Sequence, residues 1–120
     1  MKYNSDFKYD LKVGQVGEKY LANILENKTI EVKTDYKALE TGNIFIEYFS
    51  RGKPSGLATS KSDWYAFIIS NDNIILIKTD KLKDICRKYF WSDRDVKGGD
   101  NNTSQGILLN LKEIILNIMH

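Results

Sequence analysis

The sequence predicts a mixed α/β (α+β) protein in which a small mixed β-sheet is flanked by helices. Short segments with alternating side chains at Ile30–Asp35 and Ile44–Phe49 predict two strands. Aromatic and β-branched residues at 64–70 and 74–79 predict two more. Apolar residues recur at helical spacing before and after these strands, so helices are expected to cover the sheet and share its core.

The N-terminal part of the chain predicts one helix from Val13 to Glu26. Val16, Tyr20 and Ile24 fall at helical spacing and form one apolar stripe. Residues 3–12 before this helix predict a short strand or an irregular lead-in. Between the first two strands, Gly42 and Asn43 indicate a turn.

Turns and helices follow in the second half. Lys53-Pro54-Ser55-Gly56 reads as a turn, and 57–63 as a short helix or turn. A tight turn at 71–73 joins the third and fourth strands, and Asp80 is expected to cap a helix that runs to Phe90.

The C-terminal part is more polar at first. Residues 92–105 lack a core pattern and predict a long loop, 107–110 a short edge strand, and 111–119 a terminal helix. The sequence contains no internal repeat and no domain boundary. We therefore expect residues 1–120 to form a single domain.

Composition excludes several classes of chemistry. A single cysteine, Cys86, excludes an internal disulfide and a cysteine-built zinc site, and the lone histidine, His120, excludes Ser-His-Asp and Cys-His arrangements. Chemistry must then come from carboxylates, lysines and tyrosines. The net charge of +2 is compatible with nucleic-acid binding only if the basic residues cluster.

The hydropathy of the sequence predicts the cellular location of the protein. No apolar run approaches the roughly 20 residues that cross a bilayer, and residues 1–12 lack the apolar core of a signal peptide. We expect a cytoplasmic protein that contacts no membrane and needs no organic cofactor.

Carboxylates on the first two strands form the main candidate site. Lys33 and Asp35 share one strand face, because side chains two apart point the same way. If the strands pair as a hairpin with Asp35 opposite Glu47, then Lys33 lies opposite Phe49, and facing residues are about 5 Å apart. Two carboxylates and an ammonium group in one patch suit a divalent metal ion next to a phosphate.

This pattern resembles the PD-(D/E)xK nuclease superfamily, in particular small Holliday-junction resolvases and phage-type endonucleases. Asp35 matches the family's strand aspartate, Glu47 its glutamate on the next strand, and Glu18 the glutamate of its first helix. The resemblance covers residues 14–90. It implies a restriction-endonuclease-like core and a magnesium-dependent DNA endonuclease, a hydrolase of phosphodiester bonds, which acts on branched or otherwise structured DNA.

One position departs from the family. The family's lysine, two residues after the glutamate, falls on Phe49, which can neither hydrogen-bond a water molecule nor carry a charge. Lys33 is the first substitute and Lys61 the second. If neither reaches the metal, the protein is a catalytically silent DNA-binding or assembly subunit with the same fold. A third alternative is a small interaction domain whose carboxylates are surface groups.

The resemblance also assigns roles. Mg²⁺, for which Mn²⁺ should substitute, would be held by Asp35, Glu47 and the carbonyl of Tyr48, with Glu18 at a second metal or a water. Lys33 would orient the attacking water, and its alternative role is a surface ion pair with Asp35 or Glu47.

Further residues are candidates for DNA contacts, and each has a structural alternative. For the basic and hydroxyl residues the alternative is a solvated loop. For the aromatic residues the alternative is packing in the core. The apolar terminal helix 111–119 could form a dimer face, and its alternative is also core packing. The candidates for the DNA backbone are Arg51, Lys53, Ser55, Ser60, Lys61 and Lys97, and those for base stacking are Trp64, Tyr65 and Phe67.

Overall fold

Residues 7–118 form a mixed α+β domain with four helices and two β-sheets. The structure, a computed structural model, describes residues 7–118, and side chains from 12 to 117. In chain order the elements are α1 (Phe7–Leu25), β1 (Ile30–Thr34), α2 (Ala38–Thr41), β2 (Asn43–Ser50), β3 (Lys53–Pro54), β4 (Trp64–Ile68), β5 (Ile74–Lys78), α3 (Thr79–Arg87), β6 (Asp95–Gly98), β7 (Ser104–Asn110) and α4 (Leu111–Ile118). Short 3-10 helices lie at Gly56–Ala58 and Asp100–Asn102.

The strands divide into a three-stranded and a four-stranded sheet. The first has the order β1-β4-β5, with β1 parallel and β5 antiparallel to β4. The second has the order β3-β2-β7-β6 and is antiparallel throughout. The single mixed sheet expected from the sequence is therefore two sheets, although the strands predicted at 30–35, 44–49, 64–70 and 74–79 are confirmed.

The predicted hairpin between β1 and β2 is wrong. Lys33 pairs with Phe67 of β4, whereas Glu47 pairs with Gly106 of β7 and Phe49 with Gln105. Asp35 is thus not opposite Glu47, and Lys33 is not opposite Phe49. Strand alternation fixes which side chains share a face, but it does not specify which strand will be the neighbour.

The core lies between the two sheets and α3. Alternate residues of β2 and β7 point into it, and β4 contributes two aromatic side chains. Its largest fully buried side chains are Phe67, Ile44, Leu82, Ile85, Ile107, Leu109 and Cys86. Core packing is thus confirmed for Tyr65 and Phe67, which the sequence also offered as base-stacking residues.

The ends of the helices depart from expectation. α1 is Phe7–Leu25, so residues 7–12 of the predicted lead-in are helical, and residues 3–6 of it lie outside the described residues. α3 begins at Thr79 with no side-chain cap, which corrects the capping role given to Asp80, and it ends at Arg87. α4 buries Ile114 in the core and leaves other apolar residues in solvent.

The segment 92–105 is not a long loop. It contains β6 and the start of β7, and β7 is a central strand between β2 and β6 and not a short edge strand. Glycines explain this pairing, because a Cβ at Gly98 or Gly106 would lie 2.8 or 2.6 Å from the Phe45 ring. Because glycine has no side chain, the Phe45 ring can pack over the sheet at these two positions.

The described helices are not membrane spans. Within residues 7–118, no helix is both long enough and apolar enough to cross a bilayer.

A hydrogen-bonded carboxylate ties β6 to β2. Asp95 accepts from the Tyr48 hydroxyl (2.7 Å), the Gln105 side-chain amide (2.9 Å) and the backbone N–H of Trp91 (3.0 Å). Burial opposes ionisation of Asp95, but these three donors outweigh it and hold its pKa below the usual value. Burial, together with Asp95, raises the pKa of Tyr48 to about 12.

Asp95→Ala should therefore destabilise the protein by about 2 kcal/mol, because it leaves a partly buried phenol and amide without an acceptor. Urea unfolding at neutral pH measures this loss, and the exposed Asp93→Ala is the control. Because the folded pKa of Asp95 is lowered, its contribution is present above the ordinary aspartate value of 3.8 and is lost as pH falls through the folded value. Wild type and Asp95→Ala should converge in stability at acidic pH; a constant difference would contradict the role of the charged form.

Candidate functional site

A cleft between β1 and β2 is lined by three of the predicted site residues, Lys33, Asp35 and Glu47. β1 is the edge strand of its sheet, and β2 is paired on that side only through its last two residues with β3. The facing stretches therefore leave a cavity of about 260 Å³. Its lining consists of Lys33, Thr34, Asp35, Ile44, Phe45, Ile46, Glu47, Gly56, Leu57, Tyr65 and Phe67. Asp35 and Glu47 thus share one cavity although their strands belong to different sheets.

The end of β1 positions Lys33 and Asp35. The backbone N–H of Asp35 donates to the carbonyl of Ile68 (2.9 Å), and its carbonyl accepts from Ala38 N–H (3.3 Å). The backbone around Asp35 is therefore fixed on both sides. Among the described residues, neither Lys33 nor Asp35 forms an ion pair, so the predicted surface ion pair of Lys33 is absent there.

Glu47 is held by two serine hydroxyls. Ser55 donates to Oε2 (2.9 Å) and the buried Ser104 donates to Oε1 (2.7 Å). The register of β2 against β7 shifts between Glu47 and Phe49, so Tyr48 is the extra residue of a β-bulge. Bulges reorient side chains and are frequent beside functional sites.

Gly56 allows the close approach of the next segment to Glu47. A Cβ at this position would lie 2.3 Å from the Glu47 carbonyl oxygen, and Gly56 has φ +50, which side chains disfavour. No side chain fits there without displacing the strand that carries Glu47. The turn predicted at Lys53–Gly56 is wrong: Lys53–Pro54 form β3, Gly56 begins a 3-10 helix, and the turn lies at 51–52.

Gly56→Ala should destabilise the protein by about 3 kcal/mol or more, because it adds a clash to the cost of a left-handed backbone. Gly42→Ala is the matched control, since Gly42 has φ +79 but open space at its Cβ, and it should cost only about 1 kcal/mol. Chemical denaturation of both variants measures the difference. Equal losses would mean that the approach to Glu47 imposes no constraint.

An adjoining groove continues from the cleft. Lys33, Glu47 and Gly56 line both, and the groove adds Glu31, Ser60 and Lys61 among other residues. Lys61 is exposed and borders only the groove, whereas Lys33 borders both cavities. The two candidate lysines thus lie along one continuous surface, with Lys33 nearer to Asp35.

The phenol of Tyr65 is a buried polar group without a partner. Tyr65 is 2% exposed and lines the cleft, yet its hydroxyl forms no hydrogen bond with a described residue. Burial raises the pKa of this phenol; the nearby Ser60 hydroxyl opposes the shift without meeting hydrogen-bond geometry. Buried polar groups in native proteins are usually satisfied, so this hydroxyl suits a polar species in the cleft.

Two predicted metal ligands are less well placed. Glu18 lies on the exposed part of α1 among other α1 residues, away from Asp35 and Glu47. The carbonyl of Tyr48 accepts from Ser55 N–H at 3.0 Å. Within residues 7–118 no three acidic, histidine or cysteine side chains form a metal-binding group, so a metal would have to rely on Asp35, Glu47 and water molecules.

The predicted DNA-contact residues are dispersed. Ser55 is engaged with Glu47, and Ser60 lines the groove with its hydroxyl 2.8 Å from that of Ser62. Arg51 and Lys53 are exposed at the turn between β2 and β3, and Lys97 is exposed on β6 at the other edge of that sheet. Of these residues, Ser55 hydrogen-bonds to Glu47, and Ser60 and Lys61 line the groove that Glu47 also lines.

Comparison of the chain with protein-family models, with curated proteins and with solved structures finds no significant match.

Sequence reasoning missed several residues of this site. Ser104 lies in the segment predicted as a loop, and nothing in its local pattern indicates a contact with Glu47. The sequence predicts Tyr65 as a base-stacking or core residue, and that its hydroxyl lacks a partner among the described residues follows only from the tertiary structure. Glu31 could have been found, because it precedes Lys33 by two residues and therefore shares its face.

Proposed function

We propose that this protein is a magnesium-dependent DNA endonuclease with a variant restriction-endonuclease-like core. The observation that carries the proposal is the cleft that Lys33, Asp35 and Glu47 line together with Tyr65, whose phenol has no partner among the described residues. The order of helix, aspartate strand and glutamate strand supports it. In this variant a cleft separates the two strands where the resemblance implies pairing.

The donor set suits Mg²⁺. This ion is commonly bound by one or two carboxylates, with water and substrate phosphate completing its shell. Asp35 and Glu47 would hold it, and Ser55 and Ser104 would orient the Glu47 carboxylate. When bound, Mg²⁺ supplies charge neutralisation at the phosphate and a water of lowered pKa.

The surrounding residues suit a phosphodiester. Lys33 offers an ammonium group at the junction of cleft and groove, and Lys61, Ser60 and the exposed basic residues at 51 and 53 offer contacts to the DNA backbone. Such contacts bind phosphates without reading sequence, which agrees with a preference for the shape of branched DNA.

Plasmid nicking tests this function. The full chain is incubated with supercoiled plasmid and with a four-way junction in Mg²⁺, in Mn²⁺ and in EDTA. We expect conversion to nicked or resolved product in both metals and none in EDTA. Intact substrates in all three, with a folded protein by circular dichroism, would contradict the proposal.

A second candidate is a catalytically silent DNA-binding or assembly subunit. Both oxygens of Glu47 already accept hydrogen bonds, the Tyr48 carbonyl is engaged, and Phe49 occupies the family's lysine position. These contacts favour a carboxylate with a structural role. Metal-independent binding of the four-way junction in a gel-shift assay, without cleavage, would identify this candidate.

A further inference from the structure

The outer face of the three-stranded sheet is an apolar surface that no part of residues 7–118 covers. Residues that alternate with the core-facing ones form three rows across β1, β4 and β5. Four of the large side chains in these rows are 37–64% exposed. They are Ile30, Val32, Ile74 and Leu76. Lys78 is the one charged residue in these rows, and its ammonium group lies at the corner, 5.7 Å from the centre of the Trp64 ring.

α1 carries a second uncovered apolar surface. Val13, Val16, Tyr20 and Leu21 are 51–65% exposed and lie on one side of the helix. Gly17 lies between them with open space at its Cβ, which allows a neighbouring surface to approach the helix closely. Soluble proteins rarely leave such contiguous apolar faces exposed without a partner.

The two faces agree in size. The stripe from Val13 to Ile24 is about 17 Å long at 1.5 Å per residue. A five-residue strand has about the same length, and three strands are about 10 Å across, the diameter of a helix. One helix therefore covers one sheet face.

Hydrogen bonds hold the link between α1 and the first strand of its own chain. Glu26 N–H donates to Ala22 and Lys28 N–H to Leu25, which extends the helix end into the link. Thr29 is clamped to Asp63 by its N–H (2.9 Å) and hydroxyl (3.2 Å), and its carbonyl and hydroxyl accept from Asp63 N–H. Folding back within one chain would require this link to rearrange.

We infer that α1 of one chain packs its apolar stripe on the outer face of β1-β4-β5 of a second copy, with reciprocal exchange in a two-fold dimer. Both exchanged contacts form in the same dimer, so the areas that they bury add together. Such symmetric exchange of an identical element is a low-cost route to a dimer.

Cross-linking between different chains tests the exchange. Untagged Val16→Cys and tagged Val32→Cys chains are expressed together and treated with a bismaleimide of about 10 Å reach, a length chosen to span packed side chains. The native Cys86 is buried and burial raises its pKa to about 12, so it stays unreactive. We expect a cross-linked dimer of one tagged and one untagged chain.

The matched control replaces Val16→Cys by Gln15→Cys, on the polar side of α1, and should give no such product. Two outcomes would overturn the inference. One is cross-linking only within a Val16→Cys, Val32→Cys double variant, which means that α1 folds back in its own chain. The other is cross-linking only between two Val16→Cys chains, which means that helix pairs with helix.

Sedimentation equilibrium gives an independent measurement. Tyr20→Asp should raise the dimer dissociation constant at least a hundredfold, because two copies of a charge enter the apolar contact. Gln15→Asp should change it less than threefold, with circular dichroism confirming the fold of both. A monomeric wild-type protein at all concentrations would also overturn the inference.

Discussion

Asp35→Asn and Glu47→Gln should each reduce magnesium-dependent DNA cleavage on the order of a thousandfold, the scale of a removed group that stabilises the transition state. Each substitution removes a charged oxygen from the cleft and nearly preserves side-chain volume. Asp35 has its backbone fixed by hydrogen bonds to Ile68 and Ala38, so the fold should tolerate its replacement. Glu47→Gln retains one carbonyl acceptor for Ser55 or Ser104, and serine hydroxyls can rotate to accept from its amide.

Cleavage rates on plasmid and calorimetric binding of Mn²⁺ measure these effects together. Both variants should lose metal binding as well as cleavage, which separates a ligand role from a role in binding DNA. Asp72→Asn and Glu40→Gln are matched controls, because both residues are exposed and neither lines the cleft. Full activity in both cleft variants would mean that the reaction takes place elsewhere.

Lys33→Met should lower cleavage about a hundredfold, and its stability should change little. The variant keeps the aliphatic stem and removes the positive charge beside Asp35 and Glu47, where negative charge develops on the phosphate. The reason differs from that derived from the sequence, since Lys33 is not opposite Phe49. It is the lysine that lines both the cleft and the adjoining groove.

Lys61→Met is the informative comparison. Lys61 borders only the groove, so we expect its replacement to weaken DNA binding in a salt-dependent way with a smaller loss of the maximal rate. Lys81→Met, exposed on α3, controls for net charge. A wild-type rate for Lys33→Met together with a large loss for Lys61→Met would transfer the role to Lys61. Normal rates in both would mean that no lysine acts at the proposed metal site.

Local pattern was sufficient to predict most secondary structure and the shared face of Lys33 and Asp35. Alternation over 30–35 and 44–49, and β-branched and aromatic residues over 64–70 and 74–79, predict four strands that the structure contains with slightly different ends. The strands and the shared face of Lys33 and Asp35 both follow from residues close together in the sequence, because side-chain direction repeats every two residues in a strand. The sequence by itself therefore determined which residues could face a common site.

Only the tertiary structure decided which strands pair. Every strand offers the same backbone donors and acceptors, so the choice of partner depends on which side chains can be buried together. β1 joins β4, whose Tyr65 and Phe67 belong to the core, and β2 joins β7, whose Gly106 accommodates the Phe45 ring. The segment 95–98 has a polar sequence, yet it forms a strand because it pairs with β7 and its Gly98 also accommodates the Phe45 ring. Asp35 and Glu47 line one cleft, and Ser104 donates a hydrogen bond to Glu47, as a result of these long-range packing choices. The local sequence carries no signal for either arrangement.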